Sequence, residues 1–530
     1  MNAPFQHIPC RLSTLSPLHL GCGEDYQPTG YVIHDGYLHA FAERQLLHAL
    51  GAADIKKLED LAQLGDMDSI QRLIHRHAKS LALRADHSVW VQPDIERFYE
   101  KRITGKESNQ LIVLRTFYNH FNQQPVIPGS AVKGAIRTAW LDQLNDGKTQ
   151  LSDGEKYLRD FKRFNALQQR LMAFEHVDED PFYLLKVGDA AYRHELPASE
   201  IWYAVSRKRM PKSELSNKPK YLPELECIGA ARRHAFELDL RLLDGSLRQT
   251  SRRVPQTPAE LAAACNRYYL PRLRRELYQL GEQRDYLDRQ WCRTIARLLD
   301  GELGAALEGN RAILLRLGKH GGAEDKTLDG LRSIKIMMGK GKPAEWRAGT
   351  TEIRLAAADR NQQQGLLPFG WVLLEFADAP LPQTHAALDE LAAPARARAA
   401  GLRHWQQLRE QARLAAERSA AEARERESAR AAEREAEARR AQALANLSDE
   451  QRRIAELAGQ LAGDQASRGK GLGSPLGQAL RETVLAAETW GTPDRAALRE
   501  LLGRCFEHLG VDRRKNTKAR EFWQKLGENA

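Results

Sequence analysis

At 530 residues the chain is too long for one ordinary domain, and the length prior suggests about three or four. Its 80 lysines and arginines outweigh 70 aspartates and glutamates, a net charge of +10 that favours a polyanionic partner such as nucleic acid. No run approaches the ~18 apolar residues of a membrane span. The start "MNAPFQHIPCRL" lacks the basic residues and apolar core of a signal peptide, and the six cysteines are scattered with no C-x-x-C pair. These features predict a cytoplasmic chain with buried free thiols, no disulfide frame, no zinc site and no membrane.

In chain order, a strand is expected over 8–15, then a glycine-containing turn, "SPLHLGCGEDYQPTG". Asp35-Gly36 between two alternating apolar runs predicts a hairpin pairing 31–33 with 37–41. A helix is expected over 43–50, and polar helix and loop over 55–115. "PVIPGSAVKGAIRTAW", residues 125–140, reads as a strand end, a Pro-Gly turn and a helix. Ser130 serves as the N-cap in that reading. Further strands are expected at 182–187, 202–205, 234–243, 312–317 and 371–376, around a helical region at 258–303. From about 386 the composition shifts to Ala, Arg and Glu, with pairs such as Glu422 and Arg426 spaced to support one charged helix of about fifty residues. Few large apolar residues interrupt it, so a coiled-coil seam is weak. Ser448 with Gln451 forms a capping-box pattern, and Ser474-Pro475 and Thr492-Pro493 mark helix starts in a small terminal module. "DRRKNTKAR" adds a late basic cluster, with a solvated helix end as its plain alternative.

Several stretches carry chemistry. Lys133 and Arg137 stand four apart, hence on one helix face beside a helix N-terminus, an arrangement suited to phosphate. An ordinary strand-turn-helix with two solvated cations is the equal alternative. "GSAVKG" is no Walker A loop, since its lysine does not follow the second glycine and precede Ser or Thr. His75 and His77 are spaced onto different helix faces and make a poor metal pair. In "LLRLGKHGGAEDKT", Gly318, Gly321 and Gly322 permit close backbone approach, and Lys319, His320 and Lys326 offer charge or donors to a phosphate. A flexible hairpin-like loop explains the same residues. His19 and His320 could each serve acid-base chemistry on RNA, though a lone loop histidine is more often structural. Asp25 and Asp189 follow glycine-containing turns with no partner readable from the sequence.

Taken together, "LSPLHLGCGEDYQPTGYVI", "VIPGSAVKGAIRTAW" and "LRLGKHGG" followed by "TEIRL" and "LPFGWVLLEF" resemble the RAMP superfamily of CRISPR proteins. The likeness covers about residues 8–380. It is greatest to the Csm-type subunit that caps one end of the backbone in type III-A effector complexes. The sequence departs from the family pattern in "GSA", where a second serine is commoner, and in the form of its last glycine loop. The resemblance implies an α+β fold of two tandem ferredoxin-like, RRM-like domains at 1–180 and 181–385. A charged helix (386–447) and a helical module (448–530), which the resemblance does not reach, follow them. It implies contact with the 3′ part of the CRISPR RNA (crRNA), and target RNA pairing along the guide. The implied partners are a neighbouring RAMP backbone subunit, other Csm subunits and recruited host nucleases that trim the crRNA. The residues expected at RNA are His19, Gly21 and Gly23 in the first turn, and Gly129, Ser130, Lys133 and Arg137 in the central element. Gly318, Lys319, His320, Gly321 and Gly322 complete the set. No catalytic residue, metal or cofactor is expected. The alternatives are a metal-independent endoribonuclease using His19 or His320, and a scaffold recruiting a nuclease through the helical tail.

Overall fold

The computed structural model describes residues 5–105, 112–152, 160–209, 223–243, 253–336, 338, 341, 343–377 and 380–527. It comprises two units, Met1–Leu414 and Ala415–Ala530. The division falls inside a 53-residue helix, Ala393–Ala445.

The first unit is a mixed α+β body built on two large sheets. The 7-stranded sheet runs Ala312–Arg316, Trp371–Phe376, Phe5–Thr14, Arg232–Leu243, Ala190–Tyr192 and Val126–Ile127, with Leu185–Val187 also on Arg232–Leu243. Its described pairings are antiparallel. The N-terminal strand lies in its interior, with Cys10 opposite Leu238 on one side and Phe376 on the other. "AILLR" and "WVLLE" are buried on both faces, which is why they read as continuous apolar runs rather than alternating ones. The 8-stranded sheet runs Leu367–Pro368, Glu352–Ala357, Ser199–Lys208, His87–Val91, Tyr37–Ala40 and Tyr31–His34. Glu224–Ile228 also pairs with Ser199–Lys208, and Val113–Leu114 with Glu224–Ile228.

The hairpin at Asp35-Gly36 forms as its turn chemistry requires, with both residues at positive φ and Tyr31 opposite Ala40. The expected halves, 1–180 and 181–385, are not separate sheets. Each sheet takes strands from both sides of residue 180, because strand pairing is decided by non-local fit that periodicity does not encode. The stretch 182–187 is only half strand: Asp180 caps a 3-10 turn at Pro181–Leu184, and Leu185–Val187 alone pairs. The helical region resolves into Pro258–Glu276, a π-helical turn at Leu277–Glu282, Arg289–Leu299 and Glu302–Glu308.

The charged helix needs a second correction. Its start belongs to the first unit, not to a separate tail from 386. Ala395, Ala399 and Trp405 are buried there, Trp405 against Tyr37 and Ala82. Arg398 donates to Glu200 at 2.9 Å and stacks on Trp90, and Arg409 donates to Ser88 and to the Ala82 carbonyl. One tryptophan and two arginines with internal partners thus tie this section to the sheets, a feature hidden by the Ala/Arg/Glu composition around them.

In the second unit, Asp449–Gly463 begins with the capping box of Ser448 and Gln451, and Pro475–Ala486 is capped by Ser474. Thr492 is the first residue of its helix rather than the cap, which is Gly491. Trp490, Phe506 and Phe522 fill a small core shared with the helix Thr517–Lys525. No helix is long and apolar enough to cross a membrane among the described residues.

Candidate nucleic-acid interface

Two glycine-bearing segments, distant in sequence, meet after the N-terminal strand. Leu18 exchanges backbone hydrogen bonds with Ile228, and the Lys319 amide donates to the His19 carbonyl at 3.0 Å. Gly318 has φ +76°, and a Cβ there would lie 2.3 Å from the His19 carbonyl oxygen. Gly21 faces the Lys319 side chain so closely that a Cβ would sit 2.7 Å from Nζ. The structure thus gathers His19, Gly21, Gly318, Lys319 and His320 in one place. Lys319 is exposed, and its ammonium has no ion-pair partner among the described residues. Lys326 is committed inward, donating to the Gly318 carbonyl at 2.9 Å. Gly23, at φ +83°, borders open space.

Arg316 holds this loop from below. Its Nη1 donates to Glu276 at 2.6 Å and Asp325 at 2.7 Å, and its Nε to the Phe369 carbonyl at 2.9 Å. The guanidinium lies over Trp371, whose Nε1 donates to the same Glu276 at 2.9 Å. A Cβ on Gly321 would press on Arg316, 2.9 Å from its Nε. All three charged groups are buried, so loss of Arg316 would leave Glu276 without a cation and Asp325 with Arg272 alone at 3.5 Å, a strongly destabilising change. Burial already pushes the Asp325 carboxyl up, against the pull of Arg316. The sequence signal was available: one arginine closing an otherwise apolar strand.

The two histidines are neutral at pH 7. His19 is fully buried, with Nδ1 2.8 Å from the Glu226 carbonyl, and burial lowers its pKa to about 4. That carbonyl can only accept, so Nδ1 carries the proton and the buried Nε2 has no hydrogen-bond partner. His320, at φ +71°, packs on Phe369, and burial with the nearby Arg354 charge lowers its pKa to about 3.

The helix Gly129–Asn145 departs from expectation. Pro128 is the N-cap, Ser130 is exposed inside the first turn, and the Gly129 N–H is taken by the Asp189 carboxylate at 2.7 Å. A side-chain anion already sits at the helix start. Lys133 donates to the Leu185 carbonyl at 2.8 Å, and burial lowers its pKa. Arg137 donates to Gln168 at 2.6 Å and pairs with Asp180 at 2.7 Å. The two cations share a face as predicted, but that face is turned to the chain itself. Gly129 is fixed by packing: a Cβ would lie 2.2 Å from the Val187 carbonyl oxygen.

The sequence reading passed over "RTFYNHF", residues 115–121. Thr116 bridges to Gly21, and the Phe117 amide donates to the Leu20 carbonyl, which sets this segment against the first glycine turn. Arg115 is clamped between Tyr118, 3.3 Å from the ring centroid, and Tyr26 at 4.8 Å. Its Nη2 also donates to Gln123 at 2.7 Å. At the tip, Phe117 is 38% exposed and Phe121 fully so, surfaces on which nucleobases can stack. Four aromatic rings within five positions were the signal.

Against known proteins, residues 11–214 match the model of the RAMP superfamily. This stretch is similar to RAMP-superfamily proteins. It contains the first glycine turn, the aromatic segment and the helix Gly129–Asn145, while the Lys319 loop lies beyond it. A curated relative, "CRISPR system Cms protein Csm5" of Methanocaldococcus jannaschii, is 28% identical over 197 residues, 34% of this chain and 42% of that protein. The match therefore spans less than half of the relative. The likeness is thus to a RAMP-superfamily model and to a Csm protein of a CRISPR system. Among solved structures, a chain of a Csm-crRNA-target RNA ternary complex is 18% identical with TM-score 0.43, covering 69% of this chain and 100% of that one. Csm5 of T. onnurineus is 16% identical with TM-score 0.41, covering 68% and 99%.

Proposed function

We propose that this chain is an RNA-binding structural subunit of a type III-A CRISPR complex. It contacts the 3′ part of the crRNA and supports crRNA maturation and assembly of the complex. Its partners are the crRNA, a neighbouring RAMP backbone subunit and other Csm subunits. Target RNA is reached through the guide, and recruited host nucleases do the trimming. The two interleaved sheets are read as two ferredoxin-like RAMP domains.

The observation that carries this reading is the meeting of the two glycine segments around Lys319. A free ammonium on a low surface of glycines suits one backbone phosphate, and the adjoining Phe117 and Phe121 suit unstacked bases. The role is read as non-catalytic. His19 is sealed from solvent and both histidines hold their protons weakly, a poor pairing of acid and base. The test is crRNA binding by the purified chain across a salt series, with incubation in EDTA to look for cleavage. Lys319→Ala combined with Phe121→Ala is expected to weaken binding with no change in fold. Unchanged affinity, or a defined cut lost in His320→Ala, would overturn the reading.

A further inference from the structure

At the other end of the last strand of the 7-stranded sheet, three side chains converge that the RNA interface does not use. Glu375 lies on that strand, His234 on Arg232–Leu243, and His385 on the helix Pro382–Leu391. Glu375 Oε2 is 3.1 Å from His234 Nε2, and Oε1 is 2.6 Å from His385 Nε2. The two imidazoles meet edge to face at 4.4 Å, and one ligand atom from each residue lies within 4.8 Å of the others. The carboxylate is 3% exposed and the rings 18% and 16%, so the group is enclosed yet reachable from solvent.

The backbone is bent to make this cluster. The register between the N-terminal strand and Arg232–Leu243 shifts between Leu12 and Thr14. Within that irregularity His234 takes φ +47°, with its amide donating to Ser13 Oγ at 2.9 Å. Ser13 Oγ in turn donates to Glu375 Oε2 at 3.3 Å. A bulge re-aims a side chain, and here it turns the His234 ring onto Glu375. A non-glycine residue holds such a conformation only at a cost in strain, and a hydrogen bond at a partly exposed site does little more than offset it.

We propose that His234, Glu375 and His385 form a site for a zinc-class divalent ion. Two imidazole nitrogens and one carboxylate oxygen are a donor set for zinc or cobalt rather than magnesium, which prefers oxygen alone. Each Nε2 faces the carboxylate as a donor, so on binding its proton moves to Nδ1 of the same ring, or leaves to solvent where Nδ1 already carries one, and the freed Nε2 lone pairs and the carboxylate turn to the ion. A water completes four coordination. The ion joins the helix Pro382–Leu391 to two strands, and so fastens the polypeptide just before the long helix.

The test uses the untagged full-length chain. Zinc titrated calorimetrically should bind at one equivalent, magnesium should not compete, and cobalt should give the visible absorption of a four-coordinate ion. His385→Ala should weaken zinc binding at least about tenfold. His234→Gly should do the same, and because glycine is at ease at positive φ it removes a ligand while relaxing the backbone. No stoichiometric zinc, a six-coordinate cobalt spectrum, or both variants binding as the parent does would each overturn the proposal.

Discussion

The helix Gly129–Asn145 and the Lys319 loop look alike on paper: glycines, a turn and cations beside a strand. In the fold they diverge. Lys133 and Arg137 are bonded to Leu185, Gln168 and Asp180, and Asp189 occupies the helix start. Lys319 has no such partner, and its glycines face a second glycine turn. The lesson is that a cation in a motif is defined by what already satisfies it. The first element braces the sheets, and the second is left to meet something else.

The largest effect that would break this contrast is at Gly129. Gly129→Ala places a carbon 2.2 Å from a backbone oxygen, so a loss of more than about 4 kcal/mol and little folded protein are expected. A variant with parental melting would show that the element is not a brace. Next comes Gly318→Val, which combines φ +76° with a Cβ 2.3 Å from the His19 carbonyl. We expect about 2–4 kcal/mol of destabilisation, read by denaturant melts, and faster hydrogen exchange at the Lys319 amide.

Acid sharpens the picture of the loop. Below about pH 6.5 the unfolded chain protonates His19 and His320, whereas the folded chain keeps them neutral down to about 4 and about 3. The unfolded state then binds more protons, so the stability these rings contribute is present above pH 6.5 and is lost as pH falls. The slope approaches about 1.4 kcal/mol per pH unit for each ring. His19→Gln should flatten urea-derived stability between pH 6.5 and 4, and an unchanged slope would place His19 in solvent.

The smallest effect separates the two elements most directly. Lys133→Ala with Arg137→Ala should cost about 2–3 kcal/mol while leaving the salt dependence of crRNA binding unchanged. Lys319→Ala should leave stability within about 0.5 kcal/mol and reduce the salt slope by about 0.7, one single-strand phosphate contact. The reverse pattern would exchange their roles.

Much of the local structure was legible. Asp35-Gly36 gave its hairpin, the run 371–376 its strand, and Ser448 with Gln451 its cap, because each is decided by neighbours in sequence. What escaped depends on distant partners. Glu224–Ile228 is a strand outside the expected set, and its Glu226 is buried, accepting from Ser199 at 2.6 Å and Tyr26 at 3.1 Å. Trp405 gave no hint of its seat against Tyr37, and nothing local to Lys133 announced the Leu185 carbonyl. The candidate site divides likewise: the glycine segments were visible, and their meeting was not.

The interior place of the N-terminal strand sets a schedule for synthesis. Residues 5–14 leave the ribosome well before their two neighbours, Arg232–Leu243 and Trp371–Phe376. At typical rates of about 5–20 residues per second, the second neighbour follows by roughly 20–70 seconds. Until Leu243 is made both edges of that strand lack their neighbours, and one edge lacks its neighbour until Phe376 is made, a ready template for pairing with another chain. Any amino-terminal piece ending before Phe376 inherits the same unpaired edge, so fragments of the first unit are expected to aggregate where the whole unit does not.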